Sequence, residues 1–295
     1  MRISNRFILA FLFPASALYL FVFIIPAIQA LIYSLYDWSG FGAAKEFIGL
    51  ANFQELLSDR LFWKSMGNTI GILIIGGIII FSLAFIMTMM ISSGIRGKKF
   101  FRGIIFLPNI IAVIAITTML GYFYTPNNGL LAAVFKAIGL PNMAKFPWLG
   151  PDTIWAAMMI GIVWIEVGFY LVLLLAGVDK IPPDFFESAK LDGANQFQQF
   201  RHITVPLLWD VIVIGLVLWA IYAVKIFEFP FSFTGLEPNP NSYTVAMYSY
   251  IMGFGQRQPI YRLGYATAIG VMLLLVVIVI VLVIRWLTRR DVVQY

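Results

Sequence analysis

Four stretches without a single charged residue constrain this chain more than any other feature. Between Arg6 and Asp37 lie 30 uncharged residues, between Lys64 and Arg96 there are 31, between Arg102 and Lys136 there are 33, and between Arg262 and Arg285 there are 22. A membrane span needs about 20 mostly apolar residues, and a charge at mid-bilayer costs a few kcal/mol at least, so each run is long and clean enough to cross. Two further segments read as spans despite isolated charges. One, from about Thr153 to Gly177, contains Glu166; the other, from about Pro206 to Glu228, carries Asp210 near one end and Lys225 near the other. Apolar residues make up 61% of the chain and charged residues 12%, against about a quarter charged in a soluble domain. The expected fold class is therefore an all-α integral membrane protein. Its single domain, 1–295, holds six transmembrane helices at about 7–33, 65–91, 103–125, 153–177, 206–228 and 263–285.

The net charge of +6 suggests nucleic acid only until the basic residues are located. With the N-terminus inside, the inner segments hold twelve Lys and Arg, while the longer outer loops hold seven, Arg257 among them, and Lys225 stays in a span. Positive residues gather on the cytoplasmic side of membrane proteins, so both termini are expected in the cytoplasm, with membrane lipid and no nucleic acid as partner. Arg2 and Arg6 ahead of Ala15-Ser16-Ala17 imitate a signal peptide, but the apolar run continues to Tyr33, too long for a removed segment. It reads as a retained first span, bent at Pro14 and Pro26. With no Cys and one His, no metal site, thiol chemistry or disulfide is expected, and no catalytic residue stands out. Gly97-Lys98-Lys99 lacks the earlier Gly and the following hydroxyl of a phosphate loop.

Most connections carry plain turn signals, but the segment 178–205 has helix grammar at both ends. Pro182-Pro183 preset a first turn, Asp184 and Glu187 suit the positive end of a helix dipole, and Asp192-Gly193 supplies a stop where Gly can take positive φ. A second short helix is expected from Ala194 to about His202, ahead of Pro206. Phe185, Phe186, Phe197, Phe200 and Ile203 need cover, either from the chain's own spans or from a cytoplasmic partner.

Glu187-Ser188-Ala189, Asp192-Gly193-Ala194, Ile203 and Val205-Pro206-Leu207 resemble the cytoplasmic "EAA" loop of ABC importer permeases, with Ser188 and Val205 as small departures. Ser34-Leu35-Tyr36-Asp37-Trp38, Phe47-Ile48-Gly49-Leu50-Ala51-Asn52-Phe53, Gly67-Asn68-Thr69 and Phe101-Arg102 with Phe106-Leu107-Pro108 are similar to the maltose-type, carbohydrate-importing branch. Thr234-Gly235-Leu236-Glu237-Pro238 is a looser match.

The resemblance implies a type I ABC importer permease fold and half of a translocation path, completed by a second homologous permease subunit. It also implies two copies of a cytoplasmic ABC ATPase, which hold the ATP and Mg that this chain does not bind, and an extracytoplasmic solute-binding protein. Glu187, Ser188, Ala189, Asp192, Gly193, Ile203 and Pro206 are then the ATPase-coupling residues. A coupling helix must be stiff, because a flexible linker would absorb the displacement it should transmit.

The substrate path is less defined. Glu166 lies about 18 Å along its helix from Ile154, near mid-membrane, and an ionisable group there is a functional-site hypothesis by default. Tyr170 is one turn on, and Trp219, Tyr222 and Ile226 share a stripe on the fifth span. Sugars bind aromatic faces plus polar groups, so Glu166, Tyr170, Trp219 and Tyr222 are path candidates, with ordinary packing as the competing reading. Lys225 and Glu228 are expected to pair locally, and Gly67-x-x-x-Gly71 to mark close helix packing. A secondary carrier would need more intramembrane acids and repeated halves. A membrane enzyme would need clustered His or paired carboxylates.

Overall fold

The computed structural model describes residues 5–42, 45–92, 95–235, 239–255 and 258–289. Arg2, Leu236, Glu237, Pro238 and Arg257 lie outside the described residues. The first apolar run forms α1 (Asn5–Tyr19), a π turn (Leu20–Ile24) and α2 (Ile25–Tyr33). Pro26 accounts for the π turn: it has no N–H, its ring would press on the carbonyl four residues back, and a widened preceding turn relieves both. Pro14 sits within α1 without breaking it. A hairpin that the sequence does not announce follows, β1 (Tyr36–Asp37) antiparallel to β2 (Glu46–Phe47).

Next come α3 (Ala51–Ser58), α4 (Arg60–Gly71), a second π turn (Ile72–Gly76), α5 (Gly77–Ser92), α6 (Lys98–Ile110), α7 (Val113–Phe123), α8 (Leu130–Ala137), α9 (Pro141–Ala144) and α10 (Ile154–Val178). The chain continues with α11 (Pro183–Leu191), α12 (Gln196–Gln199), a third π turn (Phe200–Thr204), α13 (Val205–Leu207), α14 (Trp209–Lys225), α15 (Glu228–Thr234), α16 (Val245–Phe254) and α17 (Leu263–Leu287). Four helical stretches are long and apolar enough to cross a membrane: Phe11–Tyr33, Arg60–Ser92, Ile154–Val178 and Leu263–Leu287. The stretches expected as the third and fifth spans are each bent, by 95° between α6 and α7 and by 72° ahead of α14. Counting each bent pair as one span gives six.

The chain forms two compact bodies. One comprises the residues up to Trp63 together with Tyr248–Leu275. Its organising residue is Asp59, which caps α4 by accepting the N–H groups of Leu61 (2.8 Å) and Phe62 (3.3 Å) through Oδ1. Through Oδ2 it accepts the hydroxyls of Tyr248 (2.5 Å) and Tyr265 (2.6 Å). Burial pushes this carboxyl's pKa up, but the four hydrogen bonds more than offset that and hold it below the ordinary carboxylate value. Nearby, Arg262 grips Glu55 with both arms, at 2.8 and 2.6 Å. The Asn52 amide donates to the carbonyls of Ser34 and Tyr36, anchoring the entry to the hairpin.

The other body comprises Lys64–Met247 with the residues from Val276 on, and α10 is its axis. Glycines let neighbours close on it. A Cβ at Gly168 would land on the Ile105 carbonyl of α6, and one at Gly161 would meet the Phe229 ring and Leu120. The expected straight third span therefore divides its work: α6 lies on α10, while α7 packs against α15, where Thr117 and Ser232 share a hydrogen bond of 2.6 Å. Pro108 removes a hydrogen-bond donor just ahead of the break at Ile111–Ala112, both of which are extended. Of the Gly67-x-x-x-Gly71 pair only Gly71 packs closely, its Cα facing the Trp155 ring, while a Cβ at Gly67 would meet open space. The expected Lys225–Glu228 ion pair is absent among the described residues. The helix ends at Lys225, and extended Ile226 separates two side chains that a continuous helix would have stacked.

Candidate functional site

The segment between α10 and α14 folds as a compact elbow. Helix α11 starts with Pro183 in its first turn and ends in a Schellman arrangement: the Gly193 N–H donates to the Lys190 carbonyl (3.1 Å) and the Ala194 N–H to the Ala189 carbonyl (2.9 Å). Gly193 supplies the required φ of +80°, a conformation costly for any residue with a Cβ. The next helix begins two residues later than expected. Asn195 caps it with a reciprocal box, accepting from the Gln198 N–H (2.9 Å) while its own N–H donates to the Gln198 side chain (2.8 Å). Gln199, buried, ties back to the Ala194 carbonyl at 2.8 Å. Thus every backbone reversal in the elbow is closed by its own hydrogen bonds.

Of the residues singled out in this loop, Glu187, Ser188, Asp192 and Gly193 are exposed, as is Pro206 in α13, while Ala189 and Ile203 are half-buried. The rings divide. Phe200 turns inward to Phe85 (6.2 Å between centroids) and Phe186 joins the core, whereas Phe185, Leu191 and Phe197 remain exposed. His202 is exposed, and its ring Nδ1 lies 3.0 Å from the Gln198 carbonyl oxygen.

Within the helices, Glu166, Tyr170, Trp219 and Tyr222 do come together. Glu166 is buried with the Tyr222 hydroxyl nearby, Tyr170 meets Trp219 edge-on at 6.1 Å, and the ring of Trp219 lies 5.8 Å from that of Tyr222. Two of the four are walled in. Trp219 donates its Nε1–H to the Leu73 carbonyl (2.8 Å) in the second π turn and packs where Gly76 and Gly77 leave room; Tyr170 is packed against Phe81. These are packing contacts, and Tyr222, half-buried, is the member with a partly open face.

An open cavity of about 580 Å³ lies elsewhere in this body, at the two places where helices break. Ala112, Val113 and Ile114 line it from the α6–α7 bend, and Phe227, Glu228, Phe231, Ser232 and Gly235 from α15. Phe227 and Phe231 stack at 5.0 Å. The sequence reading missed this cavity. Its available signal was the Phe227-x-x-x-Phe231 spacing around Glu228, obscured by treating 206–228 as one uninterrupted helix.

A body of apolar helices carrying a hydrogen-bonded elbow between two of them defines a polytopic membrane protein with one rigid loop. More particularly, the chain belongs to the family of binding-protein-dependent transport system inner membrane components, whose profile matches residues 81–291. It is 32% identical to the probable ABC transporter permease protein YurN of Bacillus subtilis, over 90% of this chain and 89% of that one. It is 31% identical to the diacetylchitobiose uptake system permease protein NgcF of Streptomyces coelicolor, over 90% and 78%. A bacterial alginate ABC transporter crystallised with an alginate pentasaccharide-bound periplasmic protein matches with a TM-score of 0.82 over 98% of this chain and 96% of that one, at 23% identity, a likeness of fold. The family read from the EAA-type loop is thereby borne out: this is a multi-pass inner-membrane permease subunit of an ABC transporter, a class that is not itself enzymatic.

Proposed function

We propose that this chain is one of two permease subunits of an ATP-driven, binding-protein-dependent importer for a sugar or oligosaccharide. It contributes half of the path across six spans with both termini in the cytoplasm. The observation that carries the coupling role is the elbow: α11, which holds Glu187, Ser188 and Ala189, has its stop at Gly193 and the restart at Asn195 fixed by hydrogen bonds, and Phe185, Leu191 and Phe197 are exposed beside it. Such a piece transmits a push from two ATPase copies, which bind ATP and Mg, into α10 and α14. A carbohydrate cargo is supported by relatives named for diacetylchitobiose uptake and by the alginate transporter with its periplasmic protein, and an external solute-binding protein would deliver it. The stacked Phe227 and Phe231 beside Glu228 and Ser232 provide what a sugar ring needs, an aromatic face with polar groups at its edge.

The test is uptake of a labelled carbohydrate panel by vesicles containing the chain with its co-purifying permease and ATPase, together with the binding protein. Accumulation should require ATP and all components. Concentrative uptake by this chain alone would overturn the assignment.

A further inference from the structure

The break between α14 and α15 has a chemical cause. In a continuous helix the Ile226 carbonyl would accept the N–H four positions on. That residue is Pro230, which has no N–H and whose ring would press on the same carbonyl. Ile226 is accordingly extended, at φ −59° and ψ 119°, and its carbonyl needs a donor from elsewhere. The Thr244 hydroxyl provides one at 2.8 Å. The segment that carries Thr244 is tied in turn to α4. There the Asn68 amide donates to the carbonyls of Asn241 and Tyr243, both at 2.9 Å. The Thr69 hydroxyl accepts the Val245 N–H at 3.1 Å and donates to the Ser65 carbonyl at 2.9 Å. Thr69 and Thr244 are fully buried, where a backbone group deprived of its partner finds no water in exchange.

We infer that Thr244, fixed by Asn68 and Thr69, is a positioning residue for cargo passage. By taking the Ile226 carbonyl it sets the direction of α15, and with it which rings of that helix reach the cavity at the α6–α7 bend. Phe229 and Phe233 stack at 5.5 Å and are buried, whereas Phe227, Glu228, Phe231 and Ser232 line the cavity. The assignment rests on that cavity's being the cargo site, yet none of Asn68, Thr69 and Thr244 lines it. It also gives Gly67-Asn68-Thr69 a task that close helix packing does not explain, since its two polar members hold the segment that closes the break.

Disulfide crosslinking in membranes reads the placement of α15 without reference to cargo. The chain has no cysteine, and Thr117 on α7 meets Ser232 on α15 at 2.6 Å, so Thr117→Cys/Ser232→Cys should join under copper phenanthroline. Adding Thr244→Val, which removes the hydroxyl at nearly constant volume, should slow the crosslink roughly tenfold, the shift expected when one buried carbonyl loses its donor. Thr69→Val should slow it too, although it touches neither Ile226 nor the cavity, and Thr244→Ser should restore it. Ile212→Ala, a truncation in the core, should lower the unfolding temperature but not the crosslinking rate, which separates positioning from general loss of stability. ATP-driven uptake of labelled carbohydrate by the assembled complex, measured on the single variants without the cysteines, should fall with Thr244→Val and Thr69→Val and recover with Thr244→Ser. An unchanged crosslink in Thr244→Val, or a Ser variant no better than Val, would overturn the inference. A slowed crosslink with full uptake would overturn it as well, leaving the importer assignment standing. Absence of uptake by the wild-type complex would strike that assignment instead, with the crosslink still deciding whether Thr244 sets the wall.

Discussion

At the scale of single residues, polar atoms decide which aromatic positions can move. Trp219 fills the space left by Gly76 and Gly77 and satisfies a carbonyl of the π turn. Trp219→Phe keeps most of the ring but strands the Leu73 carbonyl, a loss of about 1–3 kcal/mol; Trp219→Ala opens a cavity worth about 3–5 kcal/mol. Thermal unfolding in detergent should therefore rank wild type above Phe above Ala. Asp59 makes a pH-dependent prediction. Its folded pKa lies below the unfolded value of 3.8, so its contribution is present above that value and fades as the pH falls through the lower folded one. Asp59→Asn should unfold at lower temperature than wild type at pH 7, and the gap should close as the pH drops below about 4. Neither Trp219's partner nor the two tyrosines on Asp59 were legible in the sequence. Tyr248 and Tyr265 lie 189 and 206 positions away, and only tertiary folding pairs them. Spacing puts Glu166 with Tyr170 on one helix face and Trp219 with Tyr222 on another; that the two faces meet, and which rings are sealed, is decided only by the packing of α10 against α14.

Among the elements, the elbow was the most legible, since capping is local chemistry written in consecutive residues. Its Gly193 offers a graded test. A Cβ there meets nothing within 4 Å, so Gly193→Ala pays only the backbone cost of positive φ, about 1–2 kcal/mol, whereas Gly193→Pro fixes φ near −65° and deletes the N–H that bonds Lys190. Uptake should fall modestly with Ala and vanish with Pro while both variants insert in the membrane; equal uptake by the two would mean the stop is not mechanically used. Glu187→Lys should abolish ATPase co-purification without loss of the helix, because the side chain is exposed. The π turns were not legible as such, yet two share a simple rule: Leu20–Ile24 and Phe200–Thr204 each end two residues before a proline, Pro26 and Pro206. Pro14 and Pro26 both suggest kinks; α1 continues through Pro14, and ahead of Pro26 the helix widens into a π turn.

For the whole molecule, the bends leave a topological choice that geometry of the helices does not make by itself. If α6 and α7 together cross the bilayer, Lys136 in α8 emerges outside; if they dip and return, it emerges on the same side as Lys98. The six-span arrangement requires the first. The absence of cysteine makes the experiment clean, because single cysteines introduced into the native chain are the sole targets of a membrane-impermeant thiol reagent. Ser39→Cys and Lys136→Cys should label in intact cells, and Gln198→Cys and Thr288→Cys only after the membrane is opened. Labelling of Lys136→Cys from the inside alone would turn α6 and α7 into a re-entrant pair. It would also reverse the predicted side of every later segment, the 178–205 elbow and the end of α17 included, which is why this one position tests the charge-based orientation and the fold's crossing count together.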